Sequence, residues 1–594
     1  VFESVTPPTL LLLNSFFVEA FLFILFDCGL KKLTSNANTS FLNIVWGVSS
    51  YSGRKNPFSP KWTTLTTKYA IIAPPAIFRT APTADVIIVI IAPPLRAIET
   101  TETTANTIAA PIIASLIQNE LKKIFKKKSL LITLLVTLAF IILTNVIYKL
   151  DFGNSYYDYI EEEISFYGEQ LKTLDPEKDK DMYAQYKTEL EVYQLVKKYD
   201  EKSWQAKIIQ SEMRNCISNI NYYTYQEKSD SGLKIAKAKY DEYIKRLDTD
   251  DWRYFAEEEV KEKNTEIDEL KAMQEKTTNK LEIKELQSQI RGYEISRQIA
   301  TWRLEKDIPY GNDYKNNCLN SYMVAMEDIR SYDFGETEKN YDSKKQYYEA
   351  QEKAAINKYD IENGTTVGDT SSAKGILLST FEEYEIFLIV MFMMTAGVIV
   401  SEEFSKGTIK LLLIKPYKRS TILASKFITS IIVAIIVIIL VLLMQFVVGG
   451  LIQGFDSFRN PTIIYDHTIN NVKQINTIQY LAMQALGKAP MYILLMTLAF
   501  AFSTIFTNSA LAITISLLGY MGSSVINMLA LNLKLNWIKY FVTPNWNLTE
   551  YFWGRIPTFE GITLPFSIAI IVIYMVIMLV PTFIIFQKKN IKNI

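Results

Sequence analysis

The chain has 594 residues, room for roughly three or four average domains, and its 63 Lys and Arg balance 63 Asp and Glu to a formal net charge of zero. No bulk field attracts nucleic acid, and none is expected as a partner. Three cysteines (Cys28, Cys216, Cys318) and one histidine (His467) form no CxxC or HxxxH spacing, which argues against a zinc site.

Residues 1–114 are rich in Thr, Pro, Ala and Ile and poor in charge. No methionine precedes Met182, and the chain opens on Val1. Residues 9–26, TLLLLNSFFVEAFLFILF, read as a signal-like or seventh membrane span carrying Glu19. The run at 86–92 is too short to cross a bilayer. The preferred reading is that 1–114 is upstream sequence joined to a protein whose own start lies near Ser115-Leu-Ile-Gln-Asn-Glu120. Neither reading assigns 1–114 a chemical role.

Six apolar runs follow, and runs of about 18 residues or more are candidate membrane spans. They cover roughly Ser129–Tyr148, Tyr384–Val400, Phe427–Val448, Met491–Phe506, Ala510–Leu531 and Leu564–Phe586. The expected fold class is therefore all-α: a polytopic membrane protein with six transmembrane helices. Residues 115–150 form the lead-in and first span, and 381–594 hold the other five. Lysines and arginines beside span ends favour the cytoplasmic side. Lys122, Lys123 and Lys126–Lys128 precede the first span. Lys406, Lys410, Lys415, Lys418, Arg419 and Lys426 lie at 401–426, and Lys588, Lys589 and Lys592 end the chain. Alternation places all three clusters inside and residues 151–380, 449–490 and 532–563 outside a plasma membrane. Thr507–Ser509 then makes a tight inner turn.

The segment 151–380 reads as a long helical or coiled-coil extracellular domain. No proline occurs from Lys180 to Ala300, and Leu, Glu, Lys and Gln favour helix. Ile267, Leu270 and Met273 recur at helical spacing, as do Ile283, Leu286, Ile290 and Tyr293, then Ile295, Ile299 and Trp302. The stripe shifts after Tyr293, which argues against one unbroken seam. Asp-Thr-Asp-Asp at 248–251 marks a break and a cap, and Pro309-Tyr-Gly311 ends the run. The segment is either a solvated stalk or a surface that meets an exported substrate. Tyr156, Tyr157, Tyr159, Tyr222, Tyr223 and Tyr225 serve such a surface or simply pack. Whether Cys216 and Cys318 form a disulfide does not follow from the sequence.

No G-x-x-x-x-G-K-[ST] loop and no G-x-S-x-G elbow occurs, so no nucleotide or acyl-transfer site is expected. His467 reads as a loop histidine. The residues with a pattern are those of the elbow at 401–426: Glu403, Gly407-Thr408, Leu411-Leu412, Pro416, Arg419, Ile422 and Lys426. Gly407 lets the chain turn as it leaves the bilayer. Thr408–Ile414 makes a short apolar helix on the membrane surface, and Pro416 stops it.

In order and spacing this elbow resembles that of ABC-2 type transporter permeases, and Asn119-Glu-Leu-Lys-Lys-Ile124 resembles their lead-in. The resemblance covers about residues 115–594. It implies the membrane subunit of an ATP-driven bacterial exporter, working as a dimer with a second copy or a related permease. The chain itself is then no enzyme and binds no cofactor. ATP and Mg act in a separate cytoplasmic ABC ATPase subunit, which seats the elbow as a coupling helix. Glu403, Gly407, Thr408, Lys410, Leu411, Leu412, Pro416 and Arg419 are the implied coupling residues. Glu402 or Glu403 is expected to pair with Arg419 or with a basic residue of the partner. Met391, Met394 and Gln445 are candidates for a soft substrate path, which suits a lipophilic compound or peptide better than an ion. Core packing is the competing reading for the methionines. A membrane sensor or scaffold that binds a ligand through 151–380 without transport is the alternative from another class.

Overall fold

The computed structural model describes residues 103–150, 155–410, 414, 417–506 and 508–589. Residues 1–102, including the apolar run at 9–26, lie outside the described residues. Chain contacts divide the protein into Val1–Ala109 and Ala110–Ile594.

A lead-in helix α1 (Thr103–Phe125) precedes α2 (Lys128–Lys149). A polar helical half follows: α3 (Ser155–Thr173), α4 (Lys180–Tyr199), α5 (Trp204–Ile208), α6 (Arg214–Asn221), α7 (Asp230–Asp248), α8 (Trp252–Lys276), α9 (Lys280–Glu305), α10 (Tyr314–Asp333) and α11 (Tyr341–Asn363). Short α12 (Ala373–Leu378) and α13 (Thr380–Glu383) lead into α14 (Glu385–Ile399) and α15 (Ser401–Ser405). The chain then forms α16 (Arg419–Gln453), an antiparallel hairpin β1 (Thr462–Asp466) and β2 (Asn471–Ile475), α17 (Thr477–Ile505), α18 (Ser509–Asn532) and α19 (Leu564–Lys588).

Local chemistry explains many of the helix starts. Asp251, Asn279, Asp313, Ser372, Asn476 and Asn508 each accept a backbone N–H from the first turn of the helix they precede. Asn340 and Ser343 form a reciprocal capping box on α11, and each such cap is worth about 1 kcal/mol. The expected break at 248–251 is present, with Asp251 as the cap of α8.

Among the described residues, five helices are long and apolar enough to cross a membrane: α2, α16, α17, α18 and α19. The chain is accordingly an all-α membrane protein, with one small hairpin among the described residues of its membrane half. The run expected at Tyr384–Val400 forms the shorter helix α14. It packs against α2, α16, α17 and α18, and Phe387–Met393 are all buried. Gly397 allows the approach of α18, because a Cβ there would meet Ile513 Cγ1 at 2.7 Å. By contrast, only 6% of the apolar window of α19 is buried, as expected of a helix facing lipid.

The stretch 449–490 departs from the expected loop. The hairpin occupies its centre, with Ile464 opposite Lys473 and Tyr465 opposite Val472. α17 begins at Thr477 and runs through Pro490. Removing one backbone donor does not end this helix, because α17 packs on α14, on α19 and on the turn at 548–554.

In the polar half, consecutive helices pair, most extensively α8 with α9 and α10 with α11. One core gathers Ile160, Val192, Val196, Ile209, Met213 and Cys216. A second gathers Trp302, Ile308, Cys318, Leu319 and Ile361. Both cysteines are free and buried, in separate cores. Burial pushes the Cys318 thiol up to about 11, so it is neutral at physiological pH. The tyrosines mostly pack on one another: Tyr183 with Tyr225, Tyr222 with Tyr223 and Tyr159 with Tyr193. The side chains of Tyr156 and Tyr157 lie outside the described residues.

Candidate functional site

The elbow converges with the lead-in and the chain's last helix at one end of the apolar bundle. α15 carries Glu402 and Glu403 into this junction, and α16 brings Lys426 from its second turn. Lys426 is 1% exposed. Its Nζ donates to Glu120 Oε1 at 3.0 Å and to the carbonyl of Ile399 at 3.0 Å, and lies 3.4 Å from Glu403 Oε1. Lys123 Nζ donates to the same two carboxylates, at 3.2 Å to Glu120 and 2.9 Å to Glu403. The Thr408 hydroxyl donates to Glu403 Oε2. Two carboxylates and two ammonium groups thus form a neutral knot joining α1, α15 and α16. Outside it, Glu402 pairs with Lys127 and Lys406.

The backbone turns sharply just beyond the knot. Gly407 has φ of +69°, with open space where a Cβ would stand. Ile409 is buried and Lys410 is exposed. Leu411, Leu412 and Pro416, three of the expected coupling residues, lie outside the described residues. Arg419 takes a different partner from the expected one. Its guanidinium donates to the carbonyls of Gln587 and Lys589, at 3.0 and 3.1 Å, closing the C-terminal end of α19. Neither Glu402 nor Glu403 needs it, because Lys123, Lys127, Lys406 and Lys426 already serve them. Lys589 in turn donates to the carbonyls of Thr504 and Ile505. The three basic stretches of the sequence therefore meet at a single end.

Burial opposes ionisation of Glu403, but Lys426, Thr408 and Lys123 outweigh it and hold its carboxyl down to about 2. A depressed carboxyl stabilises the fold fully above its ordinary value of 4.5 and loses that contribution as pH falls through about 2. Thermal unfolding of Glu403→Gln and the parent chain is therefore expected to differ at neutral pH. The gap should close between pH 4.5 and 2. A gap independent of pH would separate Glu403's stabilising role from its charge.

A second polar centre fastens α11 to the membrane half. Arg555 donates to both oxygens of Glu352 at 2.7 Å, and His467 Nε2 lies 3.0 Å from Glu352 Oε1. His467 is thus a packed side chain in the hairpin loop, stacked on Tyr348 with ring centroids 4.6 Å apart. Its Nδ1 is buried without a partner among the described residues. Alongside, the Tyr341 hydroxyl donates to the carbonyl of Pro557 at 2.7 Å, and Lys345 donates to Thr558 at 3.1 Å. Trp553 adopts φ of 55° and ψ of 31°, a left-handed conformation unfavourable for a bulky residue.

The three candidate path residues occupy different environments. Met391 is fully buried. Met394 is half-buried and lies 3.8 Å from the Thr133 hydroxyl. Gln445 is buried, and its amide oxygen accepts from Asn145 at 3.0 Å and from Tyr384 at 2.9 Å. Sequence reasoning misses Glu120, Lys123 and Lys426 as site residues, although the lead-in pattern and the end of the elbow pattern contain them. It also misses an ion pair among the apolar helices, Glu385 with Lys488 at 2.5 Å, because it places Lys488 in a loop.

Residues 356–592 match the model of a family described as "Protein of unknown function (DUF2705)". The uncharacterized membrane protein YdbK of Bacillus subtilis (strain 168) is 27% identical over 215 residues, 36% of this chain and 82% of that protein. The uncharacterized protein YhcI of the same organism is 31% identical over 245 residues, 41% of this chain and 76% of that protein. No solved structure matches significantly. On its identity and coverage with YhcI, the chain belongs to the family of that Bacillus subtilis protein.

Proposed function

We propose that the chain is the membrane-spanning permease subunit of an ATP-driven exporter of the ABC-2 type. The observation that carries this reading is the buried knot behind the elbow. Lysines present only to orient the spans would point to water or headgroups. Lys426 instead is 1% exposed and bound to Glu120 and Glu403. A force on the turn at Gly407 would therefore reach α1, α14 and α16 as a unit. Such fastening suits a lever driven by a soluble partner.

In this proposal α14 is the sixth span, and α15 carries the chain from it to the membrane surface. The end that gathers the three basic stretches faces the cytoplasm of a plasma membrane, and α3–α11 form the extracellular helical domain. Glu403, Gly407, Thr408, Lys410, Leu411, Leu412, Pro416 and Arg419 form the coupling elbow, seated on a separate ABC ATPase subunit that binds ATP and Mg. A second copy or a related permease completes the dimer. Met391, Met394 and Gln445 would line the path once the helices around α14 part.

Gly407 supplies a clean test, because a Cβ meets none of the described residues there and the cost among them is a left-handed backbone of about 1–2 kcal/mol. Gly407→Val, reconstituted with the ATPase subunit, is expected to insert and fold. Stimulated ATP hydrolysis and export should both fall at least tenfold. Gly407→Asn should retain more of both, since Asn tolerates φ above zero. Unchanged coupling in the valine variant would sink the permease reading. A ligand sensor that does not transport would show no stimulated hydrolysis in the parent chain either.

A further inference from the structure

The ion pair among the apolar helices lies toward the end of the bundle opposite the elbow. The Ser401 N–H donates to Ser503 Oγ at 2.9 Å, which levels α15 with α17 at the elbow end. At about 1.5 Å of rise per residue, Glu385 lies roughly 24 Å and Lys488 roughly 22 Å from that level. Both fall within the roughly 30 Å of a hydrocarbon core. Glu385 Oε2 meets Lys488 Nζ at 2.5 Å, and Oε1 accepts from the Tyr520 hydroxyl at 2.9 Å. Their side chains are 19% and 10% exposed. Removing two charges from water costs several kcal/mol per ion, and mutual attraction rarely returns more than that. Such a pair marks a functional site more readily than a structural one.

Three further features surround it. The Tyr492 hydroxyl is buried without a partner among the described residues, on a residue 3% exposed. Its ring packs edge-on against Phe392 with centroids 5.2 Å apart. Lys488 sits two residues before Pro490, which deprives α17 of one backbone bond and loosens that turn. Gly487 lies under the turn that carries Trp553, where a Cβ would meet Thr549 Cγ2 at 2.5 Å.

We propose that Glu385, Tyr492 and Tyr520 form a binding site for a lipophilic cation, and that Lys488 is a tethered cation occupying it until cargo arrives. The carboxylate supplies the charge, and the aromatic faces of Phe392, Tyr492 and Tyr520 attract a cationic group. Exchanging one ammonium for another leaves the buried charge balanced, so the desolvation cost is not incurred afresh. Released Lys488 swings on the loosened turn toward Glu382, which is exposed at the mouth. An anionic cargo would leave Glu385 and Glu382 opposed by like charge. The inference names the cargo of the proposed exporter and rests on that reading for movement of the cation, not for its binding.

The test needs no ATPase subunit, so its failure is distinct from failure of the exporter reading. The full chain in phosphatidylcholine nanodiscs is titrated with tetraphenylphosphonium and, separately, with tetraphenylborate, an anion of similar shape. Saturable binding of the cation alone, above that of empty discs, is expected. Glu385→Gln should weaken it at least tenfold, and Lys488→Met should tighten it several-fold by removing the competitor. Equal binding of both ions by the parent chain overturns the proposal, and this arm requires no variant. Undiminished binding by Glu385→Gln overturns it as well. Should that variant fail to insert, binding by Lys488→Met no tighter than the parent's also overturns it.

Discussion

Lys426→Met is expected to destabilise the protein by about 3–5 kcal/mol, the usual cost of removing one partner from a buried ion pair. The magnitude follows from what is left behind. Glu120 and Glu403 are both buried, and Lys123 alone would then have to neutralise them. Its side chain is 52% exposed, so it is a poorer counterion than Lys426. Adding Glu403→Gln to Lys426→Met restores a neutral knot of Glu120 and Lys123. This double variant is expected to recover a substantial part of the loss, giving a coupling energy that unfolding in detergent measures directly. Strict additivity of the two substitutions would mean that the knot does not act as a unit. Loss of export with stability recovered would separate transmission by the elbow from its mere integrity.

Glu352→Ala is expected to free α11 from the hairpin and the turn at 548–555. Glu352 accepts two hydrogen bonds from Arg555 and one contact from His467. Bonds to a charged group contribute about 1.5–3 kcal/mol each, but Arg555 is partly exposed and water replaces some of its loss. A net cost of about 2–3 kcal/mol follows. The effect should be local, because the contacts of Tyr341 and Lys345 with Pro557 and Thr558 remain. Trp553 provides the readout. Its left-handed backbone is held by the His467 N–H, which donates to the Trp553 carbonyl at 2.9 Å, and by stacking on Tyr480. Once the joint is cut, amide exchange should rise at 462–475 and 548–555 and along α11, but not in α8 or α9. A uniform rise across the polar half would instead indicate global loss of stability.

These two centres differ in how far the sequence announces them. Glu403 and Gly407 stand out by type and spacing, and a glycine followed by a basic apolar stretch announces a turn at a membrane surface. Their partners do not stand out. Lys123 and Glu403 are 280 residues apart, whereas nearness in sequence points to Arg419 as the partner of the glutamates. Arg419 instead closes the end of α19, where unpaired carbonyls need donors. Glu352, His467 and Arg555 come from three separate stretches, and no local signal links them.

Hydropathy runs are a local property, since some twenty residues suffice to set a transfer free energy. The five long apolar helices and the break at 248–251 are therefore legible in the sequence alone. Thr477–Gly487 is half polar and precedes Pro490, so local reading makes it a loop, whereas the turn at 548–554 against Tyr480 and Gly487, together with the packing of α17 on α14 and α19, makes it helix. The same packing carries Lys488 to Glu385. Which charges are buried, and against which partners, is decided only by the tertiary structure. Burial and long-range pairing depend on how helices are arranged, and neither period nor composition encodes that arrangement.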